Sequence, residues 1–131
     1  MNLFVLVLTV FLMALTPASA RQQEPEFVYY GFDPDIVTNY VAGNRRSLGY
    51  VRVSVELMVT DKRFLPAIEH HEPLILDAII GILSKQSEEK IKSLTGREEI
   101  RTTILTRLHE VLKRETGDTV IKDLLFTKYL Y

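Results

Sequence analysis

The sequence predicts an α+β fold, in which helices pack on one face of a small three-stranded sheet of the antiparallel type. From Tyr50 to Thr60, valine and leucine alternate with polar or mixed residues, which is typical of a strand with one buried face. From Leu65 to Glu115, apolar residues recur at helical spacing. A last apolar and aromatic run, Val120 to Tyr131, indicates a strand that follows the helices. The predicted order of elements is β-β-α-α-α-β.

The first strand of the predicted sheet covers Phe27 to Val41. Its aromatic and β-branched composition suits a strand, and Asp33-Pro34-Asp35 should bend it because proline cannot donate to a ladder. A short loop, Gly43 to Gly49, leads into Tyr50–Thr60, which favours antiparallel pairing. We expect the final strand to pair with Tyr50–Thr60, which has the longest apolar face. We also expect four tyrosines to share sheet surface: Tyr29, Tyr30, Tyr129 and Tyr131.

The first helical segment is predicted from Leu65 to Lys85. Pro66 fits the first turn of a helix, where its missing N–H has no partner to lose. Pro73 does not fit a helix interior. We therefore predict a kink or break near His71-Glu72.

Two further helices are predicted before the last strand. Ser87, followed by two glutamates, should begin a short helix that ends at about Leu94. Thr95 and Glu98 have the spacing of a capping box, which predicts the start of the last helix. Gly117 should end that helix.

The N-terminal segment has the pattern of a secretory signal peptide. An apolar run from Leu3 to Leu15 is followed by Ala18-Ser19-Ala20, which predicts cleavage between Ala20 and Arg21. As a helix the run would span roughly 20 Å, at 1.5 Å per residue, against about 30 Å for a bilayer core. This length favours a signal peptide over an anchor, although no Lys or Arg precedes the run. The predicted organisation is a signal peptide or membrane anchor (1–20), a linker (21–26) and one domain beyond the membrane (27–131).

The composition argues against several functional classes. The chain has 16 Lys and Arg against 17 Asp and Glu, so no basic excess indicates nucleic-acid binding. It has no cysteine, which excludes a disulfide, a thiolate nucleophile and a Cys-type zinc site. The sequence contains neither a serine nucleophile elbow nor a phosphate-binding glycine pattern. We therefore predict no enzymatic activity and no cofactor.

A few polar residues remain as candidate contacts for a partner. His70 and His71 are adjacent, so they would point about 100° apart on a helix, whereas zinc-binding helices commonly use positions i and i+4. This spacing favours a cluster at a helix break or a subunit contact over a metal site. Arg45 and Arg46 lie on the predicted loop, where they are either solvated or available to an acidic partner or lipid headgroups. The candidate contacts are Arg45, Arg46, Arg52, His70 and His71.

Five stretches, in this order along the chain, resemble the flagellar basal-body-associated protein family FliL. They are PDIVTNYV (Pro34–Val41), LGYVRVSVELMV (Leu48–Val59), EHHEPLILDAIIGILSKQ (Glu69–Gln86), SLTGREEIR (Ser93–Arg101) and IKDLLFTKYLY (Ile121–Tyr131). The resemblance covers nearly all of Phe27 to Tyr131 and implies a periplasmic domain similar to the stomatin/prohibitin fold. It also implies a homo-oligomeric ring around the stator units of the flagellar motor, which are of the MotA/MotB or PomA/PomB type. The implied role is to support stator engagement and torque, and so swimming, swarming and chemotactic motility.

The N-terminus departs from the pattern of the family, whose members typically carry a basic cytoplasmic segment and a full transmembrane helix. Cleavage after Ala20 would leave a soluble periplasmic protein; retention would keep the domain on the periplasmic face of the inner membrane. Two other readings stay open. One is a periplasmic scaffold of similar fold that is not tied to the flagellum. The other is a small enzyme or metal carrier that uses His70, His71 and the neighbouring glutamates.

Overall fold

A computed structural model describes residues 26–43 and 48–131. The strands in this part of the chain are β1 (Val28–Gly31), β2 (Ile36–Tyr40), β3 (Gly49–Val59) and β4 (Ile121–Leu130). The helices are α1 (Leu65–His70), α2 (Glu72–Leu83), α3 (Glu88–Lys92) and α4 (Leu94–Thr116), and a 3-10 turn at Lys62–Phe64 precedes α1. The predicted α+β class is confirmed. The proposed signal or anchor segment and the linker lie outside the described residues, apart from Glu26.

The sheet is built around β3. One edge of β3 pairs antiparallel with β2 and then β1, and the other edge pairs antiparallel with β4. The segment from Phe32 to Asp35 separates β1 from β2, so the bend predicted at Asp33-Pro34-Asp35 is confirmed. The four strands therefore fill three positions in the sheet, and the last strand pairs with β3 as predicted.

The core lies between one face of this sheet and the helices. All five apolar residues of the alternating pattern in β3 are buried, which confirms that one face of the strand meets the core. Burial of each large aliphatic side chain stabilises the fold by about 1.5–3 kcal/mol relative to an exposed position. The same cluster contains residues from the strand and from the helices: Val51, Val53, Val55, Leu57, Val59, Ile75, Ile79, Leu83, Ile100, Ile104 and Leu108.

The helical region divides at the positions that proline and glycine predict. His71 lies between α1 and α2, and Pro73 occupies the first turn of α2. The predicted break near His71-Glu72 is therefore confirmed. Gly117 has φ 79°, in the left-handed region, and donates its N–H to the Lys113 carbonyl, so the predicted stop of α4 is also confirmed.

The start of α4 corrects one prediction. Ser93, rather than Thr95, is the N-cap, and its Oγ accepts the N–H of Gly96 at 2.9 Å. Thr95 lies inside the first turn, so the capping-box prediction for Thr95 and Glu98 is wrong. The reason is that Ser93 has the extended backbone of a cap and follows α3 directly.

The four tyrosines do not share one surface. Tyr29 is opposite Met58 on the exposed face of the sheet, whereas Tyr30 is opposite the buried Leu57. Successive residues of a strand point to opposite faces, so neighbouring tyrosines cannot share one. Tyr129 also lies on the core side, and its hydroxyl donates to the Ile91 carbonyl at 3.0 Å. The expectation of a single tyrosine surface is therefore wrong.

None of the helices in the described ranges is long and apolar enough to cross a membrane.

Candidate interaction surface

A cluster of polar side chains lies at the centre of the sheet face that points away from the helices. The carboxylate of Asp35 accepts hydrogen bonds from Arg52 Nε at 2.8 Å and from Lys128 Nζ at 2.9 Å. It also accepts the hydroxyl of Ser54. Asp35 comes from the bend before β2, Arg52 and Ser54 from β3, and Lys128 from β4. One carboxylate thus joins all three positions of the sheet.

The charges of this cluster are fixed by its hydrogen bonds. The hydrogen bond from Ser54, followed by those from Lys128 and Arg52, holds the pKa of Asp35 far below its usual range. The carboxylate is therefore ionised at physiological pH, and two cations surround one anion. Ion pairs at an exposed surface contribute little to stability, so the main effect of the cluster is to fix the position of the two cationic side chains.

Exposed apolar side chains surround Arg52. Arg52 is paired with Val37 of β2 on one side and with Leu130 of β4 on the other. Tyr50 is two residues away from Arg52 along β3. These side chains are 58%, 55% and 58% exposed, respectively. Cross-strand and diagonal neighbours on one sheet face are within contact distance of each other. We call Val37, Tyr50, Arg52 and Leu130 the outer-face patch.

The outer-face patch has the composition of a protein-binding surface. Exposed apolar groups with a polar surround mark interaction sites, and tyrosine and arginine are enriched in the centres of interfaces. Arg52 is already oriented by Asp35, so less side-chain freedom is lost when a partner binds. The arrangement can recognise a protein surface that offers apolar groups and an acceptor for Arg52.

The outer edge of the sheet at β4 is partly covered. Arg101 Nη1 donates to the Leu124 carbonyl at 3.1 Å, and His109 Nε2 lies 2.8 Å from the Ile121 carbonyl, to which it donates in the matching tautomer. Both side chains come from α4. These two carbonyls are therefore not available to an added strand. The outer face, more than this part of the edge, is the surface open to a partner.

The candidate histidines belong to the helical layer. The ring centres of His70 and His71 are 4.9 Å apart, and His71 Nδ1 lies 2.7 Å from the Ala67 carbonyl. The next residue, Glu72, accepts the hydroxyl of Tyr30, which raises the pKa of Tyr30 to about 12. No group of three potential His, Asp or Glu ligands is placed to hold a metal ion in residues 26–43 and 48–131. This geometry makes the histidines part of the junction between α1 and α2.

The sequence also matches a known family over most of the chain. The family model described as "Flagellar basal body-associated protein FliL" matches residues 29–131. The chain belongs to the FliL family. A protein named "Flagellar protein FliL" from Aquifex aeolicus (strain VF5) is 29% identical over 103 residues, which cover 79% of this chain and 60% of that relative. This chain therefore aligns with about three fifths of the relative's length. The predicted family is confirmed, and the family is one of flagellar basal-body-associated proteins.

The FliL domain places only some of the predicted contact residues in one surface. Arg52 lies in the outer-face patch, whereas His70 and His71 lie in the helical layer, so these candidates do not form one site. Arg45 and Arg46, like the cleavage residues Ala18, Ala20 and Arg21, lie outside the described residues. The other members of the cluster and the patch were not among the predicted contact residues: Asp35, Val37, Tyr50, Ser54, Lys128 and Leu130.

The missed residues carry a signal in the sequence, although a partial one. The alternation of β3 places Tyr50, Arg52 and Ser54 on its exposed face, and the predicted pairing of the final strand brings Lys128 or a neighbour onto the same face. The exact partners depend on a β-bulge between Ser54 and Val55, which shifts the register by one residue. That shift has no recognisable sequence pattern here.

Proposed function

We infer that this FliL-family chain supports the stator of the bacterial flagellar motor through protein contacts and catalyses no reaction itself. In this proposal it acts at the basal body, in the periplasm or on the periplasmic face of the inner membrane. Its subunits form a homo-oligomeric ring around stator units of the MotA/MotB or PomA/PomB type. Loss of the contact lowers torque and therefore swimming and swarming. Membership of a family of basal-body-associated proteins supports this assignment.

The outer-face patch is the observation that carries the proposal. It combines three exposed apolar side chains with an arginine that is held in place by a neighbouring carboxylate. Such a surface fits recognition of another protein better than it fits chemistry on a small molecule, because it is a face of a sheet and not a cleft. A partner that covers the patch would bury Val37, Tyr50 and Leu130 together.

The proposal places residues 27–131 on the far side of the inner membrane. The segment 1–20 delivers them there, either as a signal peptide that is removed or as an anchor that stays. The intact mass of the chain recovered from cells separates these two forms. A mass that begins at Arg21 indicates cleavage, and a mass that retains Met1 or Asn2 indicates an anchor.

The decisive experiment is cross-linking in cells followed by purification of the native chain. The test variants are Tyr50→Asp and Leu130→Asp, which put a charge into the outer-face patch. The matched control is Leu94→Asp, because Leu94 is 76% exposed at the start of α4, where an acidic residue is well tolerated. We expect to recover stator proteins with the parent chain and with the control, and about tenfold less with the two test variants, since the introduced carboxylate must lose its water when a partner covers the patch.

Motility under load in a strain that has no second FliL copy gives the functional measure. The two test variants should swim more slowly than the control while flagella still assemble. If stator proteins are absent from the purified complex and other envelope proteins take their place, the chain is a scaffold unconnected with the motor. Equal recovery and equal motility for all variants would reject the outer-face patch as the contact.

A further inference from the structure

The guanidinium of Arg52 is only partly used within the protein. Its Nε donates to Asp35 Oδ2 at 2.8 Å, whereas Nη1 and Nη2 have no hydrogen-bond partner in the part of the chain that the structure describes. A guanidinium has five N–H groups, so four of them remain available at Arg52. The side chain is 55% exposed. The outer-face patch therefore holds a fork of unused N–H donors at the protein surface.

The polar cluster beside this fork carries more positive than negative charge. Arg52 Nε and Lys128 Nζ both donate to the same oxygen atom, Asp35 Oδ2. The other oxygen of that carboxylate accepts the hydroxyl of Ser54. One carboxylate thus faces two cations, and it cannot neutralise both. The excess positive charge favours the binding of a further anion at this place.

The strands supply no second carboxylate near Arg52. The other acidic residues of β1 to β4 are Glu56 and Asp123. Glu56 is four residues from Arg52 along β3, which is about 13 Å at 3.3 Å per residue. Asp123 pairs with Met58, still farther along β3, and accepts a hydrogen bond from Arg101. The anion that fits the fork must therefore come from outside these four strands.

The apolar side chains of the outer-face patch indicate what kind of molecule carries this anion. Val37 and Leu130 flank Arg52 in the two neighbouring strands, and Tyr50 precedes it on the same face of β3. Neighbouring strands are about 4.8 Å apart, so the two flanking positions are about 10 Å from each other. A small inorganic anion would leave all three side chains exposed, whereas a protein segment with apolar side chains on both sides of an acid would cover them.

We propose that the outer-face patch binds an acidic segment of its protein partner, in which an aspartate or glutamate lies between apolar side chains. The partner's carboxylate accepts two parallel N–H···O bonds from Nη1 and Nη2 of Arg52, which the Nε contact with Asp35 leaves open. Its apolar side chains cover Val37 and Leu130. The inference rests on the proposed function, because it takes the outer-face patch as the partner contact.

Arginine and lysine are not equivalent in this arrangement. Arginine binds Asp35 through Nε and still presents two terminal nitrogens in a fixed plane, so one side chain serves two carboxylates. A lysine at position 52 would have a single ammonium for both, without the planar fork. Asp35 is therefore a positioning residue, and Arg52 is the residue that selects the partner.

The first test uses the native chain in the complex purified from cells. Lys128 Nζ shares Asp35 Oδ2 with Arg52, so an acid bound at Arg52 lies within reach of this amine. A water-soluble carbodiimide activates the carboxylate, the amine attacks to form an amide, and the carbodiimide leaves as a urea. Mass spectrometry should find Lys128 linked to an aspartate or glutamate of the partner. Lys113, exposed near the end of α4, is the matched control and should carry no such link.

The second test changes Arg52 itself. Arg52→Gln should lower recovery of the partner about tenfold, because the partner's carboxylate loses its charged donor. Arg52→Lys should give a recovery between those of the parent and Arg52→Gln, since it keeps the charge and loses the fork. Arg107→Gln, at a 50% exposed position of α4, is the control and should recover the partner as the parent does. Urea unfolding of each protein shows that the fold is retained.

Three results would overturn the inference. The first is full recovery of the partner with Arg52→Gln. The second is a native complex in which Lys128 carries no link to the partner, and this result decides even if Arg52→Gln does not fold. The third is that no protein is linked to Lys128 while vesicles of phosphatidylglycerol bind the parent chain and not Arg52→Gln, because the anion would then be a lipid phosphate.

The same experiments separate this inference from the stator assignment. If Tyr50→Asp loses the stator proteins and Arg52→Gln keeps them, the contact with the stator stands and only the acidic segment is rejected. If Lys128 is linked to an envelope protein that is not part of the stator, the acidic segment is supported and the stator assignment is rejected.

Discussion

Gly96 offers a test of how closely α3 and α4 are packed. It is buried in the first turn of α4, and a Cβ at this position would lie 2.1 Å from the Lys90 carbonyl oxygen and 2.6 Å from Ser93 Oγ. Both neighbours are held in place, since Lys90 belongs to α3 and Ser93 caps α4. In Gly96→Ala the turn between the helices must therefore open by more than 1 Å, judged against an ordinary contact of about 3.4 Å.

The cost of this change can be separated from helix propensity. Overpacking costs about 1–3 kcal/mol, and disturbance of the Ser93 cap adds about 1 kcal/mol. Alanine is about 1 kcal/mol more favourable than glycine in a helix, and this gain applies equally to Gly81→Ala in α2, where the added Cβ meets no atom within 4 Å apart from the backbone of its own helix. The difference between the two variants should therefore be about 2–4 kcal/mol, with Gly81→Ala more stable than the parent.

The assay is urea unfolding of the parent chain and both variants, followed by circular dichroism at low protein concentration. Equal slopes with different midpoints would attribute the change to the free energy of unfolding. If Gly96→Ala proved as stable as Gly81→Ala, α3 and α4 would not be packed as closely as the distances to Lys90 and Ser93 indicate.

Three other changes test the polar contacts and the last strand. Folding lowers the pKa of Asp35, so its hydrogen bonds stabilise the protein at pH values above the ordinary carboxyl pKa, and this stabilisation is lost on acidification. In Asp35→Asn the free energy of unfolding, measured with urea at several pH values, should therefore fall less steeply as the pH is lowered. The hydrogen bond to Glu72 raises the pKa of Tyr30 to about 12, so stability falls as the pH rises through the range from 10 to 12, and Tyr30→Phe should reduce this fall. Burial also raises the pKa of Tyr129, so ultraviolet absorbance should show late-ionising tyrosine in both proteins, with a smaller late fraction in the variant. Removal of residues 129–131 should lower the midpoint of thermal unfolding by several degrees, because it deletes the hydrogen bond from Tyr129 to Ile91 and two residues of β4 that pair with β3. An unchanged midpoint would show that the end of β4 does not stabilise the fold.

The elements of this fold that depend on local pattern were predictable. The alternation in β3 extends over its whole buried face, so no helical assignment can place the same residues together. Pro73 and Gly117 act through the backbone of their own segment, and the helix break and helix stop follow from them. The last strand was predicted from its composition, and its partner from the length of the apolar face on β3.

The features that sequence reasoning missed depend on a choice between neighbours or on distant segments. Ser93 and Thr95 are both suitable caps, and only the position at which α3 ends decides between them. The Asp35 cluster requires side chains that are 17, 19 and 93 residues away in sequence. Its geometry rests on a bulge in the pairing of β3 with β4, which the hydrophobic pattern does not encode.

The interrupted first strand explains why the polar cluster lies where it does. β1 pairs with Glu56–Val59 and β2 with Gly49–Val53, so Ser54 and Val55 have no strand partner on that edge of β3. Asp35 sits at this gap and accepts the Ser54 hydroxyl, and the same carboxylate holds Arg52 and Lys128. A continuous strand would place a backbone ladder at this point and would leave no room for a carboxylate beside Ser54. The bend at Pro34 therefore allows a charged centre at the middle of the outer face.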